Sequence, residues 1–110
     1  MAAKCLRHIQ DAAVIDVGSN SVRLVVYRID GRAMTPTLNE KVMAGLGRDL
    51  ARTGKLSPDG VDQALRALKR FATLIEALGV EDVFAVGTAA VRVASDGQAF
   101  ADRMKAETGI

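Results

Sequence analysis

Residues Ala12 to Val17 (AAVIDV) form a short apolar run of small and β-branched side chains that stops at Gly18-Ser19-Asn20. That is the pattern of a buried strand entering a turn. From Ser21 to Ile29 the pattern alternates, with Val22, Leu24 and Val26 on one face and Arg23, Val25 and Tyr27 on the other, and Asp30-Gly31 supplies a hairpin turn. A third strand is expected through Thr37 to Met43, more polar and less regular, as suits an edge strand. The period then lengthens. Ser57-Pro58 is an N-cap followed by proline at the first helical position, where its missing N–H is no loss. Val61, Leu65, Leu68, Ala72 and Ile75 recur at helical spacing, flanked by Phe71, Leu74 and Leu78, before Gly79 at the C-cap. Asp82 to Gly87 (DVFAVG) reads as a second buried strand, turning at Gly87-Thr88-Ala89-Ala90. Ser95 or Asp96 can cap a last helix from Gln98 to Glu107, ended by Gly109.

The order β-β-β-α-β-α predicts an α/β fold with a mixed sheet, an antiparallel meander followed by a right-handed crossover to a parallel strand. A β-α unit normally returns to its sheet, and no strand pattern follows the last helix, so the fold is expected to be truncated before its closing strand. Residues 1–11 are expected to be a flexible tail and residues 12–110 one incomplete domain. Between the third strand and the long helix, Gly45 to Leu56 (GLGRDLARTGKL) holds three glycines and three basic residues against one acid. It reads as a mobile connection with one helical turn.

Composition narrows the function classes. With 110 residues, 49% hydrophobic and 25% charged, the chain suits one globular domain. No apolar run approaches the roughly 20 residues of a membrane span, and MAAKCLRHIQ lacks the apolar middle of a signal peptide. A cytoplasmic protein without membrane partners is the expectation. One cysteine, Cys5, and one histidine, His8, exclude an internal disulfide and a Cys/His zinc site, and neither is expected to be functional. The net charge of +2 conceals an asymmetry: residues 1–55 carry nine Lys/Arg against five Asp/Glu, residues 56–110 six against eight. A basic first half suits an anionic ligand, or simply a solvated face.

Candidate chemistry concentrates at Asp16-Val17-Gly18-Ser19-Asn20-Ser21. An aspartate at the end of a buried strand is costly to desolvate, so its carboxylate is expected to point beyond the strand ends. There it could hold a hydrated Mg²⁺. Gly18 would let the backbone approach a ligand, and the amides of Ser19, Asn20 and Ser21 could converge on a phosphate. The same residues also make an ordinary hairpin turn. The turn at Thr88-Ala89-Ala90 should emerge at the same end of the sheet, with Arg92 reaching the same anion or pairing with Asp96 at i+4. Arg23 could swing toward that anion or lie on the solvated strand face. Arg48, Arg52 and Lys55 could gather a long polyanion or be merely solvated. Phe71 and Phe84 read as core. No Ser-His-Asp set, helix-turn-helix or aromatic surface for nucleic acid stands out.

The stretches AVIDVGSNSVRLVVY, VMAGLGRDLARTGKLSPDGVDQALRALKRF and VFAVGTAAVR, with a helix ending in ETGI, resemble the N-terminal part of the exopolyphosphatase and guanosine pentaphosphate phosphohydrolase family. The similarity runs from about Ala12 to Ile110. It implies a ribonuclease H-like subdomain of the actin-like ATPase superfamily. It also implies removal of a terminal phosphate from inorganic polyphosphate or guanosine pentaphosphate, with Mg²⁺.

By this resemblance Asp16 and Gly18 to Ser21 match the first phosphate loop, with Asp16 positioning the metal. Thr88, Ala89 and Arg92 match the segment whose arginine contacts the phosphate chain, and Arg23 matches a basic or polar position. Val93 stands where an acidic residue is frequent in the family, and Asp96 where asparagine is frequent. The glutamate that activates water is implied to lie beyond Ile110, so no catalytic residue is expected within the chain; removing such a base costs on the order of 10²–10⁴ in rate. The implied partners are the substrate, the remainder of the same chain and, when intact, a second copy in a homodimer, with no nucleic acid. Three alternatives remain at this stage: a related superfamily kinase, a ribonuclease H-like nuclease, which needs more clustered carboxylates than Asp16, and a non-catalytic polyphosphate or nucleotide sensor.

Overall fold

The alternation in the second strand decides where the sheet packs. In the structure, a computed structural model that describes residues 9–110, β2 (Ser21–Asp30) buries Val22, Leu24 and Val26 on one face. Its neighbour β1 (Ile9–Val17) places Ala13, Ile15 and Val17 directly opposite them in antiparallel register, Ile15 against Leu24 and Val17 against Val22. The helix α2 (Pro58–Leu78) covers this face with Ala64, Leu65, Leu68, Phe71 and Ile75, and the three sets form one core. Its start is as the sequence predicts: the Ser57 hydroxyl accepts the Gly60 amide at 3.3 Å with Pro58 in the first turn, and Gly79 caps the other end. Of the helical apolar set, Leu78 is exposed and Val61, Ala72 and Leu74 only half-buried.

The sheet order is β3-β2-β1-β4, with β3 (Ala33–Met43) antiparallel to β2 and β4 (Asp82–Gly87) parallel to β1. The mixed sheet and the edge position of β3 are as expected. Two strands are longer than expected. Residues 9–11 belong to β1 rather than to a tail: they pair with Arg28 to Asp30, Asp11 bonds Arg28 at 3.2 Å and Gln10 bonds Asp82. Strand β3 begins at Ala33, because the backbone of Pro36 fits an edge strand and a bulge takes up the slip; Thr37, the extra residue, donates its hydroxyl to the Val26 carbonyl at 3.2 Å. The Arg70 guanidinium on α2 grips Glu40 of β3 at 2.8 Å and holds that carboxyl below the usual range.

Beyond α2 lie β4, a short helix α3 (Ala89–Val93) and α4 (Gly97–Thr108), ended by Gly109. One turn of helix, α1 (Leu50–Thr53), interrupts the segment before α2. The expectation that β4 is buried and Phe84 part of the core does not hold. Phe84 is 59% exposed and Val86 53%. Both alternate away from the helices, in register with Val14 and Asp16, on a face that no helix among the described residues covers. Phe71 alone of the pair is core.

Candidate functional site

Strand register builds the first loop. Because Val17 pairs with Val22, the residues between them form a tight hairpin closed by Gly18 N donating to the Ser21 carbonyl at 2.9 Å, with Ser19 and Asn20 exposed at its tip. No residue of the loop has positive φ. Glycine at 18 eases crowding instead: a Cβ there would lie a tight 3.2 Å from the Ser21 carbonyl oxygen and in ordinary contact, at 3.7 Å, with the Thr88 hydroxyl. What the close approach accommodates is therefore protein.

The segment expected to be a mobile connection is what holds this loop. Asn20 O accepts the amides of Ala44 and Gly45, both at 3.0 Å, and Ser19 O accepts the amide of Gly47 at 2.9 Å. Ala44, Leu46 and Leu56 are buried in the core, which a loose linker would not allow. Gly45 takes a left-handed conformation, φ 71°, that few other residues adopt without strain. Gly47 packs so closely on Ser19 and Ala90 that a side chain would overlap the Ser19 hydroxyl. Further along, Ser57 N donates to Leu46 O at 2.9 Å and Ser95 N to Gly54 O at 2.9 Å.

These bonds polarise the hairpin tip. The carbonyls of Ser19 and Asn20, the negative ends of their peptide groups, are turned into the protein, where Asn20 O accepts two amides and Ser19 O one. Their amides have no acceptor among the described residues. An exposed turn with its carbonyls tied back and its N–H groups left over is suited to an anion.

The second turn arrives where the sequence places it. Val17 of β1 and Gly87 of β4 are parallel neighbours, and the Val17 carbonyl accepts both the amide of Thr88, at 3.0 Å, and its hydroxyl, at 3.1 Å. The Thr88 hydroxyl proton is thus engaged in joining the two turns and is not offered to a ligand, contrary to the expectation for this side chain. Ala89 is exposed beside it and Ala90 is buried against Gly47. Arg92 is exposed on α3 and lines a depression of about 260 Å³ with Val17, Val86, Gly87 and Phe100. It makes no ion pair among the described residues. The alternative pairing with Asp96 is not formed, because the Asp96 carboxylate accepts the Leu56 amide at 3.0 Å. The departure from asparagine at position 96 is conservative for this bond, since either side chain offers an oxygen there.

Asp16 and Arg23 stand opposite each other in the β1–β2 register, on the sheet face away from the helices. Asp16 is exposed, so the desolvation penalty that suggested a ligand does not arise. The two side chains form no ion pair within 4.0 Å. Among the described residues no group of three or more His, Cys, Asp or Glu could enclose a metal. Cys5 and His8 lie outside the described residues. The structure therefore brings Gly18–Ser21 and Thr88–Ala90 to one end of the sheet and leaves Asp16, Arg23 and Arg92 around it with no enclosing cavity.

Arg48, which the sequence offers either to a polyanion or to solvent, is set apart from Arg52 and Lys55 by its position. It shares a depression of about 310 Å³ with Asn20, Met43, Ala44, Gly45 and Gly47, directly beside the hairpin tip. The signal was its place one residue after two closely spaced glycines, following a strand. Arg52, by contrast, is drawn to Asp49 at 3.4 Å.

Comparison with known proteins supplies an independent line. A family model described as the Ppx/GppA phosphatase family matches residues 25–110. Exopolyphosphatase 1 of Mycobacterium tuberculosis is 32% identical over 98 residues, which is 88% of this chain and 28% of that protein. Guanosine-5'-triphosphate,3'-diphosphate pyrophosphatase of Aliivibrio fischeri is 34% identical over 93 residues, 83% of this chain and 18% of that one. Among solved structures, a Ppx/GppA family member from Aquifex aeolicus superposes with a TM-score of 0.89 at 35% identity, over 94% of this chain and 34% of its own. An exopolyphosphatase from Cytophaga hutchinsonii superposes with 0.86 at 36% identity, over 92% and 32%. The chain thus spans about a third or less of the proteins it matches.

Proposed function

The chain belongs to the Ppx/GppA phosphatase family, and from that premise we propose that it carries the first phosphate-binding half of a phosphoanhydride hydrolase. The substrate class is a terminal phosphate of inorganic polyphosphate or guanosine pentaphosphate. The observation that carries this reading is the hairpin tip: Ser19 and Asn20 have their carbonyls fastened to residues 44–47 and their amides unclaimed, beside the turn at Thr88.

Ser19 and Asn20 bind the phosphoryl group through their backbone amides, the hydroxyls of Ser19 and Ser21 add to them, and Gly18, whose own amide closes the hairpin, shapes the turn. Thr88 and Ala89 hold the second turn against them, Thr88 acting as a strut. Arg92 and Arg23 lend positive charge from either side of the sheet end. The exposed Asp16 carboxylate suits a hydrated Mg²⁺, an ion usually held by one or two carboxylates together with phosphate oxygens and water. Such an ion would neutralise phosphate charge as the anhydride breaks. In-line attack by water also needs a general base. Glu40 is paired with Arg70, and Glu107 with Lys69 and Arg103, all remote from the turns. The base is assigned to the glutamate that the resemblance implies beyond Ile110.

That lack of a base at the turns favours one second reading, a polyphosphate- or nucleotide-binding module without turnover. An amide-resolved NMR titration with tripolyphosphate, with and without Mg²⁺, tests the site. Ser19, Asn20 and residues 88–92 should shift together, and Asp16→Ala should abolish the Mg²⁺ dependence. A folded protein in which neither turn responds refutes the proposal. Phosphate release by the chain alone, at a rate near that of an intact enzyme, would overturn the assignment of the base.

A further inference from the structure

Resting on the phosphate reading of the hairpin tip, we propose that the depression beside it, closed by Arg48, is a second subsite that binds the next phosphoryl group of a polyphosphate chain.

The turn from Gly45 to Arg48 is closed by Arg48 N donating to Gly45 O at 3.1 Å. It folds the guanidinium back over Gly45, where a Cβ would lie 2.9 Å from its Nη2. Glycine at 45 thus both permits the left-handed backbone and clears space for the cation. Asp49, the nearest acid in sequence, is engaged by Arg52, and Arg48 has no ion pair among the described residues. An uncompensated guanidinium is thereby held on a turn whose own backbone is bonded to Asn20. Asn20 lines the same depression, whose volume of about 310 Å³ is roughly ten times that of one water.

A linear anhydride is the ligand that needs two anion sites side by side. A phosphoryl group on the amides of Ser19 and Asn20 leaves its neighbour to be met by a planar donor, and a guanidinium presents paired N–H groups that match phosphate oxygens. A single orthophosphate has no use for the second site, so the subsite selects for chain length.

The test is binding of orthophosphate and of tripolyphosphate to the 110-residue chain and to its Arg48→Ala and Arg52→Ala variants, read by calorimetry and amide NMR. Both side chains are exposed, so both variants should fold. Arg48→Ala should weaken tripolyphosphate binding roughly tenfold, as loss of a charge-assisted contact does, and leave orthophosphate binding at the hairpin within about twofold. Amides of residues 43–48 should shift with tripolyphosphate and not with orthophosphate. Equal losses in Arg48→Ala and Arg52→Ala would show general charge attraction and overturn the subsite. A response at Ser19 and Asn20 with none at residues 43–48 would overturn it while leaving the hairpin reading intact. Silence at Ser19 and Asn20 would overturn both.

Discussion

Replacing Gly60 by alanine sets two effects of opposite sign against each other, and the geometry decides between them. In a helix, glycine to alanine is ordinarily stabilising by about 0.5–1 kcal/mol, because the unfolded chain loses freedom. At Gly60, in the first turn of α2, the new Cβ would lie 2.7 Å from the Gly45 carbonyl oxygen and 2.9 Å from both the Gly45 carbonyl carbon and Leu46 Cα. All three are backbone atoms. They cannot retreat without loosening the bond from Gly45 N to Asn20 O and withdrawing the fully buried Leu46. Overpacking costs about 1–3 kcal/mol, and the upper part of that range applies where the obstacle is backbone. The expected net effect is a loss of about 1–2 kcal/mol. Urea unfolding followed by circular dichroism should show a lower midpoint at unchanged slope. Thermal unfolding should fall by several degrees or more, at about 4–8 °C per kcal/mol for a domain near this size. Because the displaced segment fastens the hairpin, the Gly47, Ser19 and Asn20 amides should move in the unliganded spectrum as well. A Gly60→Ala variant as stable as the parent chain would refute the close packing of residues 45–46 on α2, and with it the account of how the loop is held.

Two further expectations follow from side chains outside the hairpin. Asp96→Ala should destabilise by about 1–2 kcal/mol by stranding the partly buried Leu56 amide, whereas Asp96→Asn should stay within about 0.5 kcal/mol; equal losses in urea unfolding would refute the hydrogen-bond account. The Glu40 carboxyl is held low by its hydrogen bonds from Arg70, and Glu107 by those from Lys69 and then Arg103. A depressed folded pKa means stabilisation that is present above the unfolded value, about 4.3 for glutamate, and lost as pH falls through the folded value. Thermal midpoints measured from pH 6 to pH 3 should therefore fall less steeply in a Glu40→Gln, Glu107→Gln double variant than in the parent chain. The effect should be small because both pairs are solvent-exposed, and parallel curves would contradict it.

Local chemistry was legible wherever neighbouring residues decide the backbone. Ser57-Pro58 and Gly79 bracket α2, the alternation of Val22, Leu24 and Val26 picks the core face of β2, and Gly18 to Ser21 turn between strands as their residue types imply. The meeting of the two turns follows from β4 lying parallel beside β1, which brings Val17 and Gly87 out at one end of the sheet. The errors share one cause. Phe84 and Val86 have core composition, and their exposure depends on which face of β4 has a helix against it. Strand β3 reaches back beyond Thr37 to Ala33 because proline, a poor strand residue in general, is acceptable at an edge.

The amino-acid sequence by itself determined the elements, the mixed sheet and the family, because periodicity, capping and turn residues act over a few positions. Only the tertiary structure decided what the glycine-rich basic segment does. Its composition reads as a linker, yet Leu46 and Leu56 are drawn into the core and the amides of Ala44, Gly45 and Gly47 find acceptors more than 20 residues away. Those pairings polarise the Ser19–Asn20 tip and set Arg48 beside it. They arise because a backbone brought into contact with a hairpin must satisfy its hydrogen bonds there, and that contact exists only once the sheet and helix have assembled.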